Sequence, residues 1–195
     1  MACHSVSLAN EKTDVLFKKS YAAEAEGNYQ QAAGVIEPIL NRKSSVNEFV
    51  WLRYAWLHYQ QRNYNDAIRA YNKAMKLNAS SVEARLGITL PLLAQQRWKE
   101  AAIYSKQVVK KSPLHYIAHM RLMLSEEGQK NWKDLKNHAK VVVSYYPSEY
   151  LPYVYLARAQ AWLGESENAR ESYQQVLVRY PDNLEALGYL GKGGA

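Results

Sequence analysis

The side chains best suited to chemistry in this sequence are two histidines and two glutamates in its second half. His115 and His119 are four residues apart, a spacing that places two imidazoles on one face of a helix, as in many zinc sites. No third ligand is evident, so the pair does not predict a metal site. Glu126 and Glu127 are candidates for an acid–base pair, but adjacent helix residues point apart, which favours two solvated charges.

Other signals of catalysis are missing from the sequence. It has one cysteine, Cys3, which rules out an intramolecular disulfide framework. It contains no glycine-rich phosphate loop and no nucleophile motif. We therefore expect the protein not to be an enzyme, to have no catalytic residue, and to require neither a cofactor nor a metal.

The charge of the chain favours acidic partners or anionic surfaces. Its 25 lysines and arginines exceed its 18 acidic residues, for a net charge of +7, but charge alone does not identify a partner. No apolar run approaches the roughly 18 residues of a membrane-spanning helix. The lysines gather in two stretches, at Lys99, Lys106, Lys110, Lys130, Lys133, Lys136 and Lys140. Such a run is usually a solvated face; as a binding surface it would attract an anionic membrane, an acidic protein or, least favoured, a nucleic acid.

A pattern of aromatic and small residues predicts the elements that position these side chains. It begins at Tyr64, Ala67, Tyr71 and Ala74, spaced along one side of a helix. It returns every 34 residues, as Trp98, Ala101, Ser105 and Val108, then Trp132, Leu135, Ala139 and Val142, then Ser166, Ala169, Tyr173 and Val176. Self-similarity at this period indicates stacked helical hairpins, each packed only on its neighbours.

The period divides the chain into five helical hairpins and a fragment of a sixth. The predicted repeats span 13–47, 48–81, 82–115, 116–149 and 150–183, with a truncated helix at 184–191 and a tail at 192–195. Pro113, Pro147 and Pro181 recur at the same period, and each ends a second helix. Pro91 is different, because it lies in mid-helix, where it removes a backbone hydrogen bond and should bend the helix.

The small residues of the pattern mark places where helix backbones approach closely. We expect Ala55, Ala67 and Ala157 to lie at such contacts, with aromatic side chains filling the gaps beside them. A large side chain at Ala67 should then overpack its hairpin and cost roughly 1–3 kcal/mol of stability.

These repeats resemble those of the tetratricopeptide-repeat family, and the likeness covers residues 13–191. The second repeat carries the pattern as Trp51, Tyr54, Ala55, His58, Ala67, Tyr71 and Ala74, and the fifth as Tyr153, Leu156, Ala157, Gln160, Gly164, Ala169, Tyr173, Val176 and Pro181. The first and fourth repeats depart from it, since Lys19 replaces leucine and Met123 and Leu135 replace small residues. The resemblance implies an all-α fold, a right-handed superhelical solenoid in which the first helices of the repeats line a concave groove for a partner peptide.

The resemblance also implies which residues face that groove. They are Phe49, Leu52, Arg53, Trp56, Tyr59, Glu83, Leu86, Leu90, Ile117, Met120, Arg121, Leu124, Leu151, Val154, Arg158 and Trp162. This set is unusually apolar for the family, and large apolar surfaces on soluble proteins mark binding sites. We expect it to hold an apolar or amphipathic segment of a partner protein, with Arg53, Arg121 and Arg158 steering an acidic or carboxylate-bearing one. Alternatively, the stripe packs under neighbouring helices or under residues 1–12 folded back onto it.

Some members of the family hold the acidic C-terminal tail of chaperones in a clamp of lysine, asparagine and further basic residues. The corresponding residues here are Phe17, Tyr21, Arg53, Glu83 and Gly87, and shifting the frame by one repeat gives Leu52, Trp56, Gly87, Ile117 and Arg121. Neither set has the clamp chemistry, so we expect a different kind of partner.

The leading hypothesis is a non-catalytic protein–protein interaction module, or scaffold. The alternative is a structural role through end-to-end self-association into an oligomer. A repeat array needs a polar cap, and the truncated sixth helix covers the fifth repeat with only Ala186, Leu187 and Leu190. Either the natural chain continues beyond this helix, or its end meets another copy.

The N-terminal extension, residues 1–12, bears on the compartment. Ser7-Leu8-Ala9 before Asn10 looks like a signal-peptidase site, but the segment before it is short and has no basic start. We therefore expect the protein in the cytoplasm or, if the extension is the remnant of a signal peptide, in the bacterial periplasm.

Overall fold

The computed structural model of this protein describes residues 12–42 and 47–191 and, within them, contains eleven α-helices and no strand. In chain order they are α1 (Thr13–Ala25), α2 (Tyr29–Leu40), α3 (Glu48–Gln60), α4 (Tyr64–Leu77), α5 (Val82–Ala94), α6 (Trp98–Lys111), α7 (Tyr116–Gly128), α8 (Trp132–Tyr145), α9 (Tyr150–Trp162), α10 (Ser166–Arg179) and α11 (Leu184–Gly191). Each begins where the sequence pattern predicts a helix, so the predicted all-α fold is confirmed. None of these described helices combines the length and the apolar character needed to cross a bilayer.

The two helices of each repeat are joined by the same tight turn. One residue in each turn has a positive φ, a left-handed conformation that ends the first helix. These residues are Gly27, Arg62, Gln96, Lys130 and Gly164. A residue with a side chain costs roughly 1–2 kcal/mol in this conformation, so the three middle turns are held by the packing of their helices and not by local preference.

Capping side chains define the starts of four first helices. The caps are Asn47, Ser81, His115 and Asn183, whose side chains accept a hydrogen bond from the backbone N–H three residues further on. Each cap satisfies one of the N–H groups that a helix start leaves without an intrahelical partner. The first helices therefore begin at defined residues, which fixes where their exposed side chains point.

The chain divides into two compact units, residues 1–104 and 105–195, called unit 1 and unit 2 below. Within its described part, unit 1 has two buried clusters, one containing Leu16, Ile36, Ile39 and Leu57 and the other Ala67, Tyr71, Ile88 and Leu92. The described part of unit 2 also has two, one containing Met123, Leu135, Val142 and Leu156 and the other Val154, Ala157, Tyr173 and Val176. Both helices of a hairpin contribute to these clusters, so neither helix buries its apolar side alone.

The small residues of the repeat lie where helices approach each other, as the pattern predicts. Ala55, Ala67 and Ala157 are fully buried. The closest approach involves Gly87 of α5, where an added Cβ atom would lie 2.1 Å from Cε1 of Tyr71 on α4. The Tyr71 ring thus rests directly on the backbone of the next repeat. A few residues further on, α5 continues through buried Pro91 to its end.

Candidate functional site

The first helices of neighbouring hairpins lie side by side within each unit. In unit 1, α3 contacts α5, and in unit 2, α7 contacts α9. In unit 1, side-chain hydrogen bonds also join α1 to α3. The exposed side chains of α1, α3 and α5 in unit 1, and those of α7 and α9 in unit 2, are called the first-helix faces here.

An exposed aromatic group lies on the first-helix face of unit 1. The ring centroid of Phe17 is 5.1 Å from that of Phe49 and 6.5 Å from that of Tyr21. Phe49 is 51% exposed and Tyr21 is 48% exposed. The predicted groove residues began at the second repeat and so omitted Phe17 and Tyr21. Phe17 and Tyr21 lie one repeat before Leu52 and Trp56 in the sequence. Extending the repeat pattern backwards by one repeat would therefore have added them to the predicted groove.

A second aromatic group continues along α3. The Trp56 and Tyr59 rings are 5.8 Å apart, and Tyr59 lies 6.0 Å from Tyr64 at the start of α4. Trp56 is partly buried, and its indole Nε1 donates a hydrogen bond of 2.7 Å to Glu24 of α1. That bond fixes the orientation of the indole between the first two repeats.

Arg53 is buried between the two aromatic groups and has its own partners. It is 6% exposed, donates to the Glu24 carboxylate and donates two bonds, of 3.3 and 3.1 Å, to the hydroxyl of Ser20. Its guanidinium also lies 3.9 Å from the centre of the Tyr21 ring. Burial raises the pKa of Glu24, but the hydrogen bonds from Arg53 and Trp56 outweigh burial and lower that pKa overall. The Arg53 charge is therefore balanced inside the chain, and its visible role is to hold Tyr21 in place.

The remaining predicted groove residues of unit 1 differ in exposure. Leu86 is buried and belongs to the core, whereas Leu52, Tyr59 and Leu90 are partly buried and keep some exposed surface. The most exposed apolar side chains of this face are therefore aromatic, namely Tyr21 and Phe49.

Unit 2 also exposes apolar side chains on its first helices. Among the predicted residues, Val154 is buried, Met120, Arg121 and Leu124 are partly buried, and Ile117, Leu151 and Trp162 are exposed. The most exposed of these, Trp162 at 67%, lies flat against Trp132 with ring centroids 5.0 Å apart and planes inclined by 3°.

Arg158 joins two carboxylates of unit 2. It donates to Glu185 of α11 at 2.8 and 2.6 Å and to Glu127 of α7 at 3.1 Å. The hydrogen bonds to Glu185 are the main reason that the pKa of Arg158 is raised. Burial raises the pKa of Glu185, but the bonds from Arg158 and Tyr173 lower it overall. Arg158, like Arg53, is balanced by acids of the chain itself.

The histidines and glutamates singled out by their spacing each have a hydrogen-bond partner within the chain. His115 caps α7 through Nδ1, while His119 points into the hairpin, where its Nε2 lies 2.7 Å from the carbonyl oxygen of Pro113. No group of three or more potential ligands that could hold a metal occurs among the described residues. The expectation that Glu126 and Glu127 are solvated was wrong. Glu127 pairs with Arg158, as above, and Glu126 is 6% exposed and lies 2.9 Å from Nδ1 of His138.

The lysines of the second helices differ in their surroundings. Lys106, Lys110, Lys130, Lys133 and Lys140 of unit 2 are exposed, as is Lys99 of unit 1. Lys136 is the exception, since it pairs with Glu165 at 2.5 Å. Most of these lysines are thus exposed to solvent.

Comparisons with known proteins agree on the fold. A family model described as subunit 3 of the anaphase-promoting complex, or cyclosome, matches residues 25–106, and a tetratricopeptide-repeat model matches residues 153–183. No curated protein matches the chain.

Solved structures similar to the chain cover nearly all of it. An ArsTM double mutant of MamA from strain RS-1 is 17% identical, with a TM-score of 0.80 over 91% of this chain and 99% of that one. MamA from residue 41 onward, from Desulfovibrio magneticus RS-1, is 16% identical, with a TM-score of 0.80 over 90% of this chain and 99% of that one. YrrB, titled a TPR protein with an unusual peptide-binding site, is 14% identical, with a TM-score of 0.77 over 96% and 97% of the two chains. At these identities the likeness shows the fold alone, and together with the repeat models and the 34-residue helical hairpins it establishes that this chain is a tetratricopeptide-repeat protein.

Proposed function

We propose that this protein is an interaction scaffold that binds an amphipathic segment of a partner protein on the first-helix face of unit 1. The tetratricopeptide-repeat fold supports a protein–protein interaction scaffold in general. The single observation that carries the proposal is the exposure of Tyr21 and Phe49 beside Phe17 on two neighbouring first helices.

Exposed aromatic side chains at this density favour binding. Soluble monomers rarely leave several large apolar side chains together in water, and aromatic residues dominate the binding energy of protein interfaces. Here the rings are also held in place, Tyr21 by the Arg53 guanidinium and Phe49 by Phe17. Binding of a partner should therefore cost little side-chain entropy, because these rings are already ordered.

The arrangement of the aromatic groups and the net charge of the chain favour a helical, acidic partner. The aromatic groups follow neighbouring helices, which suits an amphipathic helix with apolar residues at positions i, i+3 or i+4, and i+7. The net charge of +7 favours a partner with acidic residues on its other side. YrrB, which shares the fold, is titled as having a peptide-binding site, and this supports a peptide ligand without identifying it.

The experiment is a selection of displayed helical peptides against the wild-type protein, with the Tyr21→Ala/Phe49→Ala variant as the counter-selection. We chose these two residues because they are exposed, whereas Trp56→Ala would also remove the hydrogen bond to Glu24. We expect the enriched peptides to share apolar residues at positions i, i+3 or i+4, and i+7, and not to bind the variant. Enriched peptides that bind the variant equally well would defeat it.

A second candidate function, self-association, is supported by α11. Leu184 is 84% exposed and Leu187 is 46% exposed, and three residues apart on a helix they share a face. Light scattering over a concentration series tests this candidate, with Leu184→Ser/Leu187→Ser as the variant. A wild type that stays monomeric at high concentration removes it.

A further inference from the structure

Unit 2 contains a stacked pair of tryptophans, one of which is exposed. Trp132 begins α8 and Trp162 ends α9, and their rings are parallel within 3° at a centroid distance of 5.0 Å. Trp162 keeps 67% of its surface exposed, and Leu163 next to it is 39% exposed. A rigid exposed indole with an apolar neighbour has the composition of a binding hot spot.

A cleft lies beside this pair. Its volume is about 290 Å³, and it is lined by Lys130, Asn131, Trp132, Lys133, Asp134 and Leu163. Pockets for small molecules usually run from about 300 to 1,000 Å³, so this cleft suits one side chain of a longer ligand better than a cofactor.

The charges of the cleft are available to a ligand. Lys130 and Lys133 are exposed, and neither forms an ion pair with another described residue. Their neighbour Lys136 is different, because it is already paired with Glu165. Two ammonium groups against the single carboxylate of Asp134 leave the cleft with one net positive charge.

From these observations we infer that the cleft and the Trp132–Trp162 stack bind a short acidic segment of a partner protein that carries an aromatic residue. The aromatic side chain lies over Trp162 and Leu163, and neighbouring carboxylates contact Lys130 and Lys133. The site involves unit 2 alone, so it stands or falls independently of the face proposed in unit 1.

A nucleic acid fits the same residues less well. Single-stranded nucleic acids also stack on aromatic rings, but they need a succession of cations that follows the phosphate backbone. Here Asp134 lines the cleft and Glu165 neutralises Lys136, which interrupts such a succession. A peptide needs only one or two charge contacts beside its aromatic anchor.

The experiment follows the indole N–H signals of the five tryptophans by NMR, with Trp132 and Trp162 assigned from Trp→Phe variants. Three capped peptides of equal length serve as probes. The first contains glutamate residues and one phenylalanine, the second replaces the glutamates with lysines, and the third replaces the phenylalanine with serine. We expect only the glutamate–phenylalanine peptide to shift the signals of Trp132 and Trp162 in a saturable way. Equal shifts with the glutamate–serine peptide, or with the lysine–phenylalanine peptide, would overturn the inference, because charge or apolar contact alone would then suffice.

Variants test which side chains are responsible. We expect Trp162→Ala and Lys130→Ser/Lys133→Ser each to lower the affinity for the glutamate–phenylalanine peptide by about tenfold. The matched control, Lys106→Ser/Lys110→Ser, removes the same charge from another helix of unit 2 and should leave the affinity unchanged. All four lysines and Trp162 are exposed, so circular dichroism is expected to show folded variants. Equal weakening by the control pair contradicts the site, and so does a single-stranded oligonucleotide that binds more tightly and loses affinity in the same variants.

Discussion

The Nδ1 atom of His119 lies 2.9 Å from the Nε2 atom of His138 inside the fourth hairpin. This contact is the middle of a line of three hydrogen bonds that runs from the Pro113 carbonyl oxygen to the Glu126 carboxylate. The carbonyl only accepts, so His119 donates to it through Nε2 and must accept from His138 at Nδ1. Three bonds need three protons, and two neutral imidazoles supply two. The line is therefore complete only when a third proton lies between His138 and Glu126.

A substitution at Glu126 tests this proton count. In Glu126→Gln the side-chain amide donates to His138 Nδ1, so the whole line is complete with both imidazoles neutral. In Glu126→Leu the Nδ1 atom loses its partner, and the free energy of unfolding should fall by roughly 1–3 kcal/mol. Urea denaturation at neutral pH measures both variants. We expect the glutamine variant to stay close to the wild type, and equal losses in both variants would contradict the line of bonds.

Acid should destabilise the fold through His58 and His119. Burial lowers the pKa of both imidazoles, and both ring nitrogens of His58 are buried with no hydrogen-bond partner among the described residues. The unfolded chain then binds protons more readily than the folded one below the ordinary histidine pKa of about 6.5. The unfolding free energy should accordingly fall as the pH drops from 7.5 to 5.5.

The substitution His58→Leu isolates one part of this effect. In the wild type the ring centroids of His58 and Tyr54 are 4.3 Å apart. The leucine keeps an apolar side chain against Tyr54 and removes the two ring nitrogens that have no hydrogen-bond partner. We expect it to raise the unfolding free energy by about 1 kcal/mol at neutral pH and to flatten the pH dependence. A variant with a pH profile as steep as that of the wild type would show that His58 does not contribute.

The contact between Gly87 and Tyr71 predicts that position 87 does not tolerate any side chain. Gly87→Ala places a methyl group against the Tyr71 ring and should destabilise the protein by about 1–3 kcal/mol. The matched control is Gly34→Ala, also within a helix, where the added Cβ meets no atom within 4 Å apart from its chain neighbours and the nearby backbone of its own helix. That change should stabilise by about 0.5–1 kcal/mol, because alanine favours helix more than glycine does. Denaturant midpoints compare the two, and Tyr71→Leu should partly rescue Gly87→Ala but not alter the effect of Gly34→Ala.

The helices were predictable from the sequence because five hairpins repeat one pattern. A single repeat is ambiguous, but the same spacing of aromatic and small residues at Tyr64, Trp98 and Trp132 leaves little freedom for where helices begin. Burial of the small residues follows from the same spacing, since Ala67 and Ala169 occupy one position in different repeats.

The charged residues of the site were less predictable. The rule that adjacent helix residues point apart is correct for Glu126 and Glu127, which have partners on different helices. It does not indicate whether those partners are water or a buried imidazole. Likewise, the position of Arg53 on a groove-facing slot gave no sign that Glu24, 29 residues earlier, would pair with it. Such pairs depend on side-chain conformations between repeats, and periodicity carries no information about those.

Another packing prediction concerns Ala67, which is fully buried between helices. Ala67→Leu should lower the thermal midpoint, since overpacking at such a contact costs roughly 1–3 kcal/mol. Ala22→Leu, on the exposed side of α1, is the control and should leave the midpoint nearly unchanged. If the two variants melt together, Ala67 does not lie at a close helix contact.

The central claim is that the aromatic face of unit 1 binds a peptide, and calorimetric titration of a selected peptide tests it most directly. The titration compares the wild type with Tyr21→Ala/Phe49→Ala and with Ile103→Ala, which removes an equally exposed apolar side chain from a second helix. We predict that the double variant binds at least about tenfold more weakly, as expected for the loss of two aromatic anchors, while Ile103→Ala binds like the wild type. Equal affinities for all three proteins would contradict the claim.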